Sequence, residues 1–222
     1  MNYFKVEKSL PLYEQIYYSL KKMIMDGVFQ PGERIFESKI AREFGISRSP
    51  VREAIRSLQN EGLLILDQKS QILVYRPSLH DIKEIYQCRM ALESMAASLA
   101  ASQVNDQEIE ELEQVLSLTK KALEENDPNE AINQNAKFHD LIIQFSRNRR
   151  LQTQLESLRA LTHFYRVHNF QGKSRGRTIL SDHHGILTEL KNRNPEKASH
   201  VMSQHMMRDM NHLLQLFQNN NK

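Results

Sequence analysis

The chain of 222 residues has a single cysteine, Cys88, which excludes an intramolecular disulfide framework and fits a reducing compartment. Glycine and proline are scarce, at seven and six, as in a helix-rich composition with few loops. No stretch approaches eighteen uncharged apolar residues, so no membrane span is expected. The opening MNYFKVEKSLP lacks the apolar run of a signal peptide, and a cytoplasmic location is the expectation. No His-Glu-x-x-His, no Gly-rich phosphate loop and no general-base set at a known spacing occurs, which argues against an enzyme.

What is present divides by segment. Residues 1–76 hold 12 Lys+Arg against 9 Asp+Glu, whereas residues 77–222 hold 18 of each. The whole formal excess of +3 therefore lies in the first third of the chain. Histidine is skewed the other way, with eight of nine beyond residue 130. Arg76-Pro77-Ser78 reads as a short linker between a domain over 1–76 and another over 77–222.

Within the first domain, Leu12 to Met25 predicts a helix with Ile16, Leu20 and Ile24 on one face, closed by Asp26-Gly27. Two shorter helices follow in ESKIAREFGISRSPVREAIRSLQNEGLL, residues 37–64. Ile40 and Phe44 mark the buried face of the first; Val51, Ile55 and Leu58 mark that of the second. Gly45 suits the turn, Ser49 a cap, and Pro50 a first helical position. This layout predicts a helix-turn-helix, with Arg48 and Arg52 offered to bases, Ser47 and Ser49 to phosphates, and Arg42, Arg56 and Lys69 as positioning cations. A plain helical hairpin with a solvated basic face would show the same local pattern. Leu63 to Leu66 and Ile72 to Tyr75 predict a β-hairpin beyond it.

The run Pro31-Gly32, Ile40-Ala41, Gly45-Ile46-Ser47-Arg48-Ser49-Pro50-Val51-Arg52-Glu53-Ala54-Ile55, Leu58 and Glu61-Gly62-Leu63 resembles the signature of the GntR superfamily of bacterial transcription regulators. The resemblance implies a winged helix-turn-helix of three helices plus the hairpin, reading double-stranded DNA. It departs at the wing tip, where the family usually has glycine and this chain has Ser70 and Gln71.

From Leu79 onward only helical periodicity remains, predicting six helices over about 79–102, 106–125, 129–146, 150–167, 174–192 and 195–217 in an antiparallel bundle, followed by a polar tail, Gln218 to Lys222. The expected fold is thus mainly α. Ile82, Ile85, Arg89, Leu92, Ala96 and Leu99 form a heptad-like seam with one cation in it, and the neighbouring Cys88 reads as a small core filler. Arg89 needs a counter-ion; Glu93 four residues on is one, and the carboxylate of a small ligand is the other. Asn135 and His139, then His183, then His205 fall on apolar stripes of three different helices. Taken singly each histidine reads as an ordinary core or surface residue; together they suit a metal held between facing helices.

Arg89 with Leu92-Glu93, Phe138-His139, Asn148, and His183 with Ile186 resemble the FCD effector domain of the FadR branch of that superfamily. The resemblance implies metal ligands at Asn135, His139, His183 and His205, with Asn135 standing where the family has Asp, and an organic-acid effector gripped by Arg89. Zinc is the expected ion, with nickel or manganese as alternatives. The expected protein is a homodimeric regulator, a repressor in the first instance, on an inverted-repeat operator. Alternatives are a regulator for which the ion itself is the signal, a metalloenzyme, or an RNA-binding protein.

Overall fold

The computed structural model describes residues 10–219 except Asp26, Gln171 and Lys173. The opening segment read above for a signal peptide, the helix-ending role of Asp26 and the last residues of the polar tail lie outside the described residues. The chain divides after Pro77 into two compact units.

In the first unit α1 (Leu12–Met25) buries Ile16, Leu20 and Ile24, the stripe expected from its spacing, and packs on α3 (Arg48–Asn60). Between them α2 (Glu37–Phe44) ends at Gly45, whose φ of 66° lets its N–H return to the Ala41 and Arg42 carbonyls. On α3, Val51, Ala54, Ile55 and Leu58 are buried. Two local expectations shift. The capping position is Ser47, not Ser49, and Pro50 is third in the helix; the first turn has no intrahelical N–H to lose, so proline is tolerated anywhere in it. Phe44 is 40% exposed, because α2 stops there and carries the ring off the buried stripe that Ile40 holds.

Strands β1 (Leu64–Leu66) and β2 (Ile72–Val74) pair antiparallel, Leu64 opposite Val74. Residues 32–35 add an edge to β2: the Ile35 N–H donates to the Ile72 carbonyl, and the Val74 N–H to the Glu33 carbonyl, both at 2.8 Å. At the tip the Asp67 carboxylate accepts from the Lys69 and Gln71 N–H groups at 2.9 and 2.8 Å. This turn puts Ser70 at φ 57°, the left-handed conformation that glycine adopts more cheaply.

The second unit is helical throughout: α4 (Leu79–Gln103), α5 (Asp106–Glu124), α6 (Pro128–Phe145), α7 (Arg149–Ser157), α8 (Arg159–Asn169), α9 (Arg175–Lys191) and α10 (Pro195–Asn219). Side chains set several starts. Ser78 caps α4, Asn105 and Glu108 form a reciprocal capping box on α5, Asp127 caps α6, and Asn148 caps α7 by accepting from the Leu151 N–H at 3.1 Å. Helices α4 and α10 make the most extensive contact and run antiparallel, since Arg193, just before α10, bonds the Val104 carbonyl at the end of α4.

The single helix expected over 150–167 is two, so the described residues of this unit form seven helices rather than six. Leu151 and Leu155 are four apart, but the next buried residue is Ala160, five on. That jump in phase is accommodated at Leu158, after which α7 and α8 present their apolar faces to different neighbours. On α4 the buried stripe follows the true helical period, Ile82, Tyr86, Arg89, Glu93, Ala97 and Ala100, and drifts off the heptad seam, leaving Leu92 and Leu99 half-buried. Cys88 is exposed, one residue round from Arg89, and not a core filler.

Candidate nucleic-acid interface and histidine site

All seven candidate DNA-contacting residues, Arg42, Ser47, Arg48, Ser49, Arg52, Arg56 and Lys69, are exposed. Ser47, Arg48, Ser49 and Arg52 share the N-terminal end of α3. No acidic residue lies in that first turn, so the free N–H groups and the helix dipole favour an anion there. Arg52 is not free: its Nε and Nη2 donate to the Glu37 carboxylate at 3.2 and 3.1 Å. Glu37, at the start of α2, therefore holds one arginine of the reading face in a fixed direction. The Arg48 guanidinium makes no hydrogen bond or ion pair among the described residues. Spacing had marked Arg48 and Arg52 as equivalent; the cross-helix clamp distinguishes them.

In the second unit, α6, α9 and α10 bring His139, His183 and His205 together. Each is at most 1% exposed, and each offers a ring nitrogen within 4.8 Å of the others. The Nε2 atoms of His183 and His205 are 3.3 Å apart. Two of the outer nitrogens are set by carboxylates. Glu93 Oε2 lies 2.7 Å from His139 Nδ1, close but poorly aligned for a hydrogen bond, and Asp182 Oδ2 lies 3.2 Å from His205 Nδ1. Asp182 is itself fixed by two donations from Arg208, at 3.0 and 2.9 Å. Phe138 stacks on His183, ring centroids 4.3 Å apart, and His183 Nδ1 has no partner.

Burial pushes His139 down to about 4, outweighing the pull of Glu93, and pushes His183 well below the ordinary imidazole value, helped by His205. Both are neutral at physiological pH, the state a metal ligand needs. Glu93 stays ionised: burial raises it, but Arg89 and His139 together hold it below the usual carboxylate range. Asn135 is buried one turn before His139, on the same stripe. The donor set fits a borderline divalent ion: converging imidazoles, two with carboxylates behind them, and a lone pair with no other use. The residues that would hold it are His139, His183 and His205. Asp209 is buried, with Oδ2 3.8 Å from His205 Nε2, and its carboxylate is taken by Arg175.

Of the two counter-ions considered for Arg89, Glu93 is the one the structure pairs with it. Its Nε donates to Glu93 Oε1 at 2.8 Å, and its guanidinium lies over the Tyr86 ring, 4.7 Å from the centroid. Its Nη1 and Nη2 are buried without an acceptor. Other enclosed donors in the same unit share this condition: the Tyr86 hydroxyl, Arg166 Nε, Asn169 Nδ2 and Arg175 Nε. Sequence reasoning missed these. On α8, Thr162, Arg166 and Asn169 recur at three and four, a polar stripe that reads as a solvated face and is in fact buried.

A winged helix-turn-helix with an exposed arginine-led helix, followed by an all-helical unit, is the architecture of a DNA-binding transcription regulator. Residues 12–74 match the bacterial regulatory proteins of the gntR family, and residues 84–208 match the FCD domain; the chain belongs to this family. It is similar to the uncharacterised HTH-type transcriptional regulator YdhC of Bacillus subtilis (strain 168), 41% identical over 214 residues and 96% of each chain. It is also similar to the HTH-type transcriptional repressor RspR of Escherichia coli (strain K12), 27% identical over 95% of this chain and 92% of that one. Among solved structures, E. coli McbR/YncC superposes with a TM-score of 0.76 at 26% identity, over 94% of this chain and all of that one. These relatives are regulators of transcription, not enzymes. Among the described residues no helix is long and apolar enough to cross a membrane.

Proposed function

We propose that this regulator is a homodimeric repressor of an inverted-repeat operator, released by a small organic acid that binds the helical unit beside a divalent metal ion. The observation that carries the reading is the buried convergence of three imidazoles in the same unit as the unpartnered Nη1 and Nη2 of Arg89. A similar protein named as a transcriptional repressor supports the sign of regulation.

At the reader, a twofold protein meets a twofold site, each α3 entering a major groove by its first turn. Arg48 is the residue for two-point contact with guanine, Arg52 is aimed by Glu37, and Ser47 and Ser49 serve phosphates. Arg42, Arg56 and Lys69 add positioning contacts. In the helical unit His139, His183, His205 and Asn135 hold the ion, zinc by preference and otherwise nickel or manganese, which when bound supplies a Lewis-acidic centre for a carboxylate oxygen. Arg89, held rigid by Glu93 and Tyr86, presents two parallel N–H groups to the same carboxylate. The acid acts through its difference in affinity for the DNA-competent and DNA-incompetent states, about 1–3 kcal/mol of coupling in typical cases.

A second reading has the ion itself as effector. It is favoured by Asn135, which as a neutral amide removes one negative charge from the ligand set and makes an exchangeable ion reasonable. Operator binding with chelator, with added zinc, and with zinc plus acid separates the two. Release only in the third arm supports the acid; a difference between the first two that acid does not alter supports the ion. Equal affinity in all three arms contradicts both.

A further inference from the structure

Resting on the reading of the helical unit as an effector pocket, we infer that Arg166 forms a second anion subsite and that the effector is a dicarboxylate, one carboxylate meeting Arg89 and the histidine site and the other meeting Arg166.

Arg166 lies on α8, is 5% exposed, and its guanidinium makes no hydrogen bond or ion pair among the described residues. Its Nε is enclosed without an acceptor. A guanidinium is seldom buried without a counter-ion, because desolvation of the charge goes uncompensated. Burial depresses its protonation first and the Arg89 cation second, with Glu93 and Asp140 opposing them less strongly. The side chain lines a cavity of about 350 Å³ between α6, α7 and α8, and Glu93, which backs His139, lies on the wall of the same cavity.

The other charges on that wall have partners within ion-pair distance. Arg159 pairs with Asp140 at 2.9 Å and with Glu156 at 3.2 Å, and Glu93 is shared by Arg89 and His139. The buried arginines and carboxylates of the unit are Arg89, Arg166 and Arg175 with Glu93 and Asp209. Glu93 answers Arg89 and Asp209 answers Arg175, which leaves the Arg166 guanidinium as the one without a paired carboxylate. Asn135 adds to the imbalance, since a dication on neutral ligands brings two further positive charges into the same interior. Two carboxylates on one short chain offer one group to the histidine site and one to Arg166, while Gln152, Gln144 and Thr162 line the cavity with neutral polar groups.

Calorimetric titration of the zinc-loaded full chain with acetate, propanoate and butanoate against propanedioate, butanedioate and pentanedioate, with inorganic phosphate as a further arm, tests this. The expected result is at least one dicarboxylate binding tenfold or more tighter than the monocarboxylate of equal chain length, the size of one charge-assisted contact. In Arg166→Gln that ratio falls to within about twofold while monocarboxylate binding is retained; in Arg89→Gln both classes are lost. Equal affinity for mono- and dicarboxylates in the wild type, or an undiminished preference in Arg166→Gln, overturns the inference while leaving the pocket standing. Phosphate binding tighter than every dicarboxylate and dependent on Arg166 also overturns it. If no acid binds at all, the effector pocket fails and this inference with it. A second readout needs no ligand: Arg166→Gln should raise the melting temperature of the acid-free protein, because it removes an unmatched buried charge. A lowered melting temperature would mark Arg166 as structural and contradict the assignment.

Discussion

Replacing Asn135 with Asp tests the histidine site through charge alone, since the two side chains differ little in size. Asn135 is 4% exposed and one helical turn before His139. At about 4 Å and an effective dielectric near 20, two unit charges attract by about 4 kcal/mol, and a dication doubles this. Burying the new carboxylate costs several kcal/mol, which leaves a net gain of about 2–4 kcal/mol. Zinc should therefore bind roughly 30- to 700-fold tighter in Asn135→Asp, measured by competition with a chromophoric chelator. Without metal the sign reverses: the carboxyl group is buried with no cation to answer it, and the chelated variant should lose about 1–3 kcal/mol of stability. The signature is this crossover, with melting temperature lowered in chelator and raised in zinc relative to wild type. Unchanged zinc affinity, or a melting shift of one sign in both conditions, would refute the assignment of the three imidazoles as a metal site.

Other perturbations follow from the same geometry. Arg48→Ala should cost about 1–3 kcal/mol of operator discrimination by competition binding, yet change stability by no more than about 0.5 kcal/mol, since its side chain is exposed and unpartnered. Ser70→Gly relieves a left-handed residue worth about 1–2 kcal/mol against a glycine entropy cost of about 0.5–1 kcal/mol, so denaturant titration should show a small net stabilisation. A loss of stability there would mean that the wing tip does not hold φ 57° in solution. Glu93→Gln removes the counter-ion of Arg89 and the carboxylate behind His139. It should cost about 3 kcal/mol of stability, with zinc affinity down about 10- to 100-fold. Intact stability would show that the Arg89–Glu93 pair is not desolvated as its burial implies.

How much of this could be read from the chain depends on how far each feature reaches along it. The buried faces of α1 and α3 were legible because Ile16, Leu20 and Ile24, and Val51, Ile55 and Leu58, are strictly periodic and local. The cap of α3 was misplaced by two residues because Ser47, Ser49 and Pro50 are all acceptable in a first turn, and only backbone dihedrals separate them. The break at Leu158 was visible only as a five-residue step between Leu155 and Ala160, easily passed over inside a continuous polar-apolar pattern. Cys88 was misjudged on residue type, since it lies on neither the heptad seam nor the buried stripe of α4. His139, His183 and His205 were legible since each sits among aliphatics at helical spacing. Arg166 was not: its burial comes from helices distant in sequence, and nothing local marks a polar stripe as enclosed. The Arg52–Glu37 clamp is likewise a contact across fifteen residues, without periodic trace.

The central claim is that the helical unit governs the reader through the histidine site. Its most direct test is operator binding, on a site selected in vitro, by wild type and by the His139→Ala/His183→Ala double variant, both folded and zinc-equilibrated, titrated with butanedioate. The account predicts similar affinity without acid, and with acid a loss of about tenfold in the wild type alone, the middle of the usual coupling range. Equal response of the two proteins to the acid, or an operator affinity that the acid leaves untouched in both, would contradict it.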